Sequence, residues 1–341
     1  MSKNLIAASF AGMITIIPLA AKAQSGADFY RGKTVTLLIG SAPGGGYDAM
    51  GRAVSRHIGK HIPGNPAIIV QNMSGAGGII PTNHLFKIAA RDGSLIGSVN
   101  NTTPFEPLLG SREATYDPTL FNWLGTPSVE VGLVAVWHES PIKTLDDLKS
   151  IQSAMGSSGA NSTPSFYARL LNELIGAKMK IVMGYPGQNE AFLAMERREL
   201  DGYPSTFYSA LTSTRPEWLR DKKVRVIVQY GPQKQPELAD APFLPDLLTR
   251  PEDKALAQVA FAALSLGRPF LMPPGVPADR VAVMRKALME VFSDKDFIAE
   301  AEKLQLMVSS FRTGEQLQKE IADAYNSPPD LVARLRRLAG Q

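Results

Sequence analysis

Glycines and small hydroxyl residues, gathered into loops, carry the chemistry that this chain can offer. Pro43-Gly44-Gly45-Gly46 follows an apolar run over 35–39 and precedes a helical pattern from Ala49. A strand that passes through a glycine loop into a helix start presents free backbone N–H groups and the positive helix end. That arrangement suits a small anion. Gly75-Ala76-Gly77-Gly78 repeats it after the run 67–70, and Thr102 follows a third run over 94–99. Further along, Gly156-Ser157-Ser158-Gly159 with Ser162 precedes a helix over 165–175, and Tyr185-Pro186-Gly187 closes a run over 180–183. None of these loops contains Arg or Lys. Asp48 lies in the first helical turn, where a carboxylate complements the dipole; turned to a cleft, it would repel an anion or attract an ammonium group.

Other chemistries fit less well. Gly44-x-Gly46-x-x-Ala49 matches a loose dinucleotide fingerprint, yet the next strand ends at Val70-Gln71-Asn72 without the acid that would hold a ribose hydroxyl. A phosphate-binding P-loop is excluded because no Lys-Ser or Lys-Thr follows the glycines. The spacing around Ser157 and Ser158 is not G-x-S-x-G, and no histidine stands late in the chain to serve as a base. The bland reading is a hydroxyl-rich turn that caps a helix. His57 and His61 have metal-ligand spacing but no intervening acid, and they sit at a helix end, as dipole partners do. Neither a metal nor a cofactor is expected.

The elements that position these loops alternate. Apolar runs at 35–39, 67–70, 94–99, 131–137, 180–183, 203–207 and 224–230 are interleaved with helical patterns, which predicts an α/β fold of largely parallel sheets. The loops then lie at the carboxyl ends of strands, where open α/β sheets place ligands. Two similar halves suggest a cleft between domains: 24–127 plus 229–341 as a discontinuous first domain, and 128–228 as the second. Late helices are expected near 252–263, 278–292, 294–304, 314–325 and 328–338. There is no repeat of fixed short period.

Lys3, the apolar stretch 5–20 and Ala21-Lys22-Ala23 read as an export signal cleaved near Ala23, which places the mature chain in the periplasm. The stretch is shorter than a bilayer span. The chain has no cysteine, so a large core rather than disulfides must hold it. Its formal charge of +4 includes Lys3 and Lys22, and their loss with the signal leaves +2. With no basic stripe interleaved with aromatics, nucleic acid is not an expected partner.

Taken in order, these motifs resemble the periplasmic substrate-binding proteins of tripartite tricarboxylate transporters, the Bug-type receptors. Ala42-Pro43-Gly44-Gly45 with Asp48 is similar to the family's first cleft loop. Asn72 with Gly75-Ala76-Gly77-Gly78 is similar to its N-x-x-G-A-G-G segment, and Arg91-Asp92-Gly93-Ser94-Leu95 to its P-D-G-x-T-L turn. Gly156 to Gly159 with Ser162, then Tyr185 and Gly187, corresponds to the second half of the site, and Pro274-Gly275-Val276-Pro277 to a late T-P-A-P segment. Asn161 and Ser165 stand where the family has glycine and histidine, Met183-Gly184 where V-P is common, and Arg91 where proline is usual.

The resemblance implies a two-lobed periplasmic-binding-protein (Venus-flytrap) fold. It implies a non-enzymatic receptor, expected to be a monomer, that delivers a small carboxylate-bearing ligand to tripartite tricarboxylate-type permease subunits. It also implies that backbone amides and bridging waters hold a ligand carboxylate. The expected ligand contacts are Pro43, Gly44, Gly45, Gly46, Asp48, Gly75, Ala76, Gly77, Gly78 and Thr102 from the first domain. Ser157, Ser158, Ser162, Tyr185 and Gly187 come from the second. Tyr47, Phe105 and Phe207 are either partners of the ligand's variable part or core. Two alternatives remain open: a periplasmic serine hydrolase, which a fluorophosphonate probe would label, and a receptor that serves a signalling protein.

Overall fold

The structure, a computed structural model, describes residues 26–160 and 162–340. The expected export signal and Asn161 lie outside the described residues. Two sheets organise the chain. The first contains β1 (Thr34–Ile39), β2 (Ala67–Asn72), β3 (Leu95–Ser98), β4 (Asn122–Thr126), β10 (Phe270–Met272) and β11 (Arg312–Thr313), in the order β11-β4-β10-β3-β1-β2. The second contains β5 (Gly132–Trp137), β6 (Ser153–Gly156), β7 (Met179–Val182), β8 (Gly202–Phe207) and β9 (Val224–Tyr230), in the order β7-β6-β8-β5-β9.

Both sheets are mixed. In the first, β1 pairs in parallel with β2 and β3, and β10 runs antiparallel between β3 and β4. In the second, β6 pairs in parallel with β7 and β8, and β5 runs antiparallel between β8 and β9. The parallel groups explain why the sequence reads as α/β. β10 and β5 are reversed strands that fill slots between two parallel ones, and β11 is a reversed strand at the edge, antiparallel to β4.

Period-two alternation sorts each central strand between two layers. On β1, Val35, Leu37 and Ile39 join one buried cluster, while Leu38 joins another. On β5, Val134 and Val136 face one cluster and Leu133 and Trp137 the opposite one. Helices cover both faces, so these strands read as continuous apolar runs rather than alternating ones.

Residues 127–131 carry the chain from β4 to β5, joining the sheets. The Pro251–Leu266 helix spans the junction. Its Leu256, Phe261 and Leu264 enter a core of the second sheet, while Ala262, Ala263 and Leu266 enter one of the first. The last helix, Pro329–Ala339, also crosses over. Leu335 and Leu338 pack in the second sheet's core, Arg334 pairs with Glu173 and Asp253, and Arg336 Nε donates to the Leu108 carbonyl at 2.9 Å.

Candidate functional site

At the end of β1 the Gly40 N–H donates to the Ser98 carbonyl at 2.7 Å, and the chain turns across the carboxyl edge of the sheet into the Gly46–Ile58 helix. Gly45 is the N-cap and has no side-chain oxygen to offer. The first turn therefore leaves the N–H groups of Gly46 and Tyr47 without helical partners. Pro43, Gly44, Gly45 and Gly46 are all exposed. The loop is bare backbone facing solvent, with a helix start behind it.

Asp48 braces that loop from beneath. Its buried carboxylate accepts from the Gly44 N–H at 2.9 Å, from Asn72 Nδ2 at 2.8 Å and from Arg52 Nε at 2.9 Å. Asn72 also donates to the Ser41 carbonyl at 3.1 Å and accepts from Arg52 Nη2 at 2.9 Å. Burial opposes the charge on Asp48, but the hydrogen bonds from Arg52, Gly44 and Asn72 outweigh it and hold the carboxyl below its ordinary range. A depressed folded-state pKa adds stability that is present above the unfolded value, near 4, and is lost as pH falls through the folded one. Asp48→Asn is therefore expected to cost about 1–3 kcal/mol at pH 7, the scale of buried donors left without an acceptor. Urea unfolding at a series of pH values should show that deficit shrinking below pH 4; a deficit independent of pH would contradict the bracing role.

The second loop leads from β2 into the Ile79–Lys87 helix. Gly75, Ala76, Gly77 and Gly78 all take positive φ, at 141°, 46°, 64° and 103°, a run that glycine adopts at little cost. Asn100 Nδ2 holds the Gly77 carbonyl at 2.6 Å and Thr82 Oγ1 holds the Gly78 carbonyl at 2.7 Å. Ala76 and Gly77 are exposed, Gly75 is half-buried and Gly78 is buried.

At the third loop, the Tyr47 hydroxyl accepts the Asn101 N–H at 3.0 Å and lies 3.2 Å from Asn101 Oδ1 and 3.3 Å from the Gly267 carbonyl. Burial pushes the Tyr47 phenol up to about 12, so it stays protonated. Tyr47 thus ties the first and third loops to the segment before β10. Thr102 is half-buried, and with Phe105 it borders a cavity of about 110 Å³ that Thr163, Phe166 and Tyr167 of the second unit also line. Phe105 itself belongs to the core, and Phe207 packs partly buried against the core of the second sheet.

In the second unit, Ser157 follows β6 and is fully buried. Its Oγ lies 2.8 Å from Ser162 Oγ and 2.7 Å from Ser165 Oγ, and the hydroxyls of Ser162 and Ser165 both donate to the Gly159 carbonyl. The hydroxyls bond to one another and to the backbone, and among the described residues none bonds to a histidine or a carboxylate. Ser158 is exposed beside them. Tyr185 and Gly187 are half-buried on the adjacent loop, where the Tyr185 N–H donates to the Ser157 carbonyl at 3.2 Å. Gly187 is the uncapped start of the Gln188–Glu196 helix.

The loops hold no cation of their own, yet one reaches the first of them from far along the chain. Arg268, just before β10, lies with its guanidinium 6.0 Å over the Tyr47 ring and beside Gly46. Glu130 Oε1, on the crossing segment, is 3.7 Å from Arg268 Nη1, and Ser209 Oγ donates to Glu130 Oε2 at 2.6 Å. Sequence reading missed this group because β10 is three residues long, runs antiparallel and is followed by two prolines. The signal available was a lone basic residue in Gly267-Arg268-Pro269 between a helix and a strand.

His57 and His61 lie away from the loops, against late helices. His57 Nε2 is 2.7 Å from Glu300 Oε2, and His61 Nε2 is 3.0 Å from Asp294 Oδ2.

No family model matches the chain, and no curated protein matches it. Solved structures do. The ligand-free TctC solute-binding protein from Polaromonas superposes with a TM-score of 0.70 at 16% identity, covering 91% of this chain and 99% of that one. The chain has the fold of that solute-binding protein. MatC from Rhodopseudomonas palustris with bound malate gives 0.62 at 20% identity, over 90% of this chain and 99% of that one. A second R. palustris protein, with adipate, gives 0.61 at 16% identity over 90% and 97%. The two-lobed α/β architecture is the one that the motif resemblance implied.

Proposed function

We propose that this protein is an exported, non-enzymatic receptor that captures a small carboxylate in the cleft between its two lobes. It then presents the ligand to membrane permease subunits of a tripartite tricarboxylate-type transporter. The observation that carries this reading is the uncapped helix start behind Pro43 to Gly46: exposed backbone, open N–H groups, and a carboxylate, Asp48, turned away to brace the loop. Backbone donors at a helix start bind anions without a cationic side chain in the loop itself. The malate and adipate carried by the two R. palustris structures agree with a carboxylate ligand. In this reading Gly75 to Gly78 and Thr102 complete the first jaw, and Ser158, Tyr185 and Gly187 close from the second. Ser157 and Ser162 shape that second loop through their mutual hydrogen bonds.

A thermal-shift screen over mono-, di- and tricarboxylates, amino acids and aromatic acids tests the proposal. A ligand that binds only the folded state stabilises it by about 2.7 kcal/mol at a hundred times its Kd, so the shift must grow with concentration. The expected result is a concentration-dependent shift for one carboxylate class and none for the matching amides. A flat response to every carboxylate would count against the reading.

A further inference from the structure

One guanidinium nitrogen of Arg268 is buried with no hydrogen-bond partner among the described residues. Its Nη1 is fully buried, and its guanidinium makes no hydrogen bond among the described residues. The nearest acid oxygen, on Glu130, stands at 3.7 Å, beyond hydrogen-bond range, and the other Glu130 oxygen is engaged by Ser209. A guanidinium has five N–H donors in a rigid fork matched to carboxylates. A buried donor left without a hydrogen bond is costly, and native proteins keep few of them.

Its position says what that use is. Arg268 Nη2 lies 3.1 Å from the point that a Cβ on Gly46 would occupy, against the first residue of the Gly46–Ile58 helix. The side chain is only 16% exposed, and the Tyr47 ring beneath it is fixed through Asn101 and Gly267. A carboxylate seated on the open N–H groups of that helix start would have the guanidinium at its side.

We propose that Arg268 pairs directly with the ligand carboxylate, and that Glu130 holds one edge of the guanidinium so that its remaining donors face the ligand. This inference rests on reading the cleft as a carboxylate site, and it adds a charged, specificity-determining side chain to a site otherwise built of backbone and neutral side chains. Glu130 then also weakens anion binding through its own charge, keeping the capture reversible.

Calorimetric titration of the full chain tests this with succinate, glutarate and benzoate, each beside its amide. The variants are Arg268→Gln, Glu130→Gln and the double variant. Arg268→Gln should weaken carboxylate binding about 10- to 100-fold, the scale of a charge-assisted hydrogen bond, and lose the preference for acid over amide. Glu130→Gln keeps a neutral oxygen at the guanidinium edge but removes the negative charge, so it should tighten binding several-fold. The double variant, which leaves no uncompensated buried charge, should fold as wild type does and still bind weakly. Wild-type affinity in Arg268→Gln, or a loss in Glu130→Gln equal to that in Arg268→Gln, would overturn the inference while leaving the carboxylate site standing. A wild type that answers to none of the three acids would overturn both.

Discussion

Gly45→Val is expected to abolish carboxylate binding while leaving the fold intact. Gly45 has φ −87° and ψ 174°, an extended conformation that a β-branched residue adopts readily. No heavy atom lies within 4 Å of where its Cβ would stand. The side chain therefore costs the folded state little and fills the open space in front of the helix start. A carboxylate can no longer reach the N–H groups of Gly46 and Tyr47. The expected loss in affinity is about 100-fold or more, since at least two charge-assisted hydrogen bonds disappear. Circular dichroism should be unchanged and the ligand-induced melting shift gone. A folded variant with wild-type shifts would place the ligand elsewhere.

The second large effect falls on stability. Gly267 has φ 52° and ψ −107°, outside the regions open to residues with a side chain, and a Cβ there would collide with the Ser128 carbonyl. Thr126 Oγ1 lies 3.0 Å from the same point. The obstacle is backbone of the crossing segment and cannot rotate away. Gly267→Ala is expected to lose about 3–5 kcal/mol in denaturant unfolding, combining backbone strain with overpacking. It should also weaken binding, because the Gly267 carbonyl faces Tyr47 and the next residue is Arg268. Gly159→Ala is the control. Nothing among the described residues lies within 4 Å of a Cβ there, and the change should stay within about 0.5 kcal/mol of wild type.

Local signals made much of this fold legible. β1, β3, β5 and β9 are apolar runs of strand length buried in the layers of each sheet, while β2, also apolar at its start, lies at the sheet edge and leaves Ile69 exposed. The helix after Thr144 declared itself through a threonine and early acids, and the structure closes a capping box between Thr144 and Asp147. Asp48 was legible as a first-turn acid, but its reach to Gly44 and Asn72 depends on the neighbouring strand. β6, Ser-Ala-Met-Gly, has too few apolar residues to register, and β10 and β11 are too short. Their existence is decided by the partners they pair with, which no local window contains.

The same distinction governs the site. Loops at strand ends followed from glycine spacing, and the structure gathers Pro43 to Gly46, Gly75 to Gly78 and Thr102 at one sheet edge. Ser157 gave no hint that its hydroxyl turns inward to Ser162 and Ser165, since a loop serine reads the same in either orientation. Arg268 was out of reach because an antiparallel insertion, not sequence proximity, carries it to Gly46.

Backbone amide NMR on isotope-labelled protein, titrated with the carboxylate that shifts melting most, measures the central claim at the atoms concerned. Saturation is expected to move the N–H resonances of Gly45, Gly46 and Tyr47 downfield, as hydrogen bonds to a carboxylate do, with Gly77 and Tyr185 following as the lobes close. Saturable binding that leaves the Gly45, Gly46 and Tyr47 amides unmoved would contradict the account.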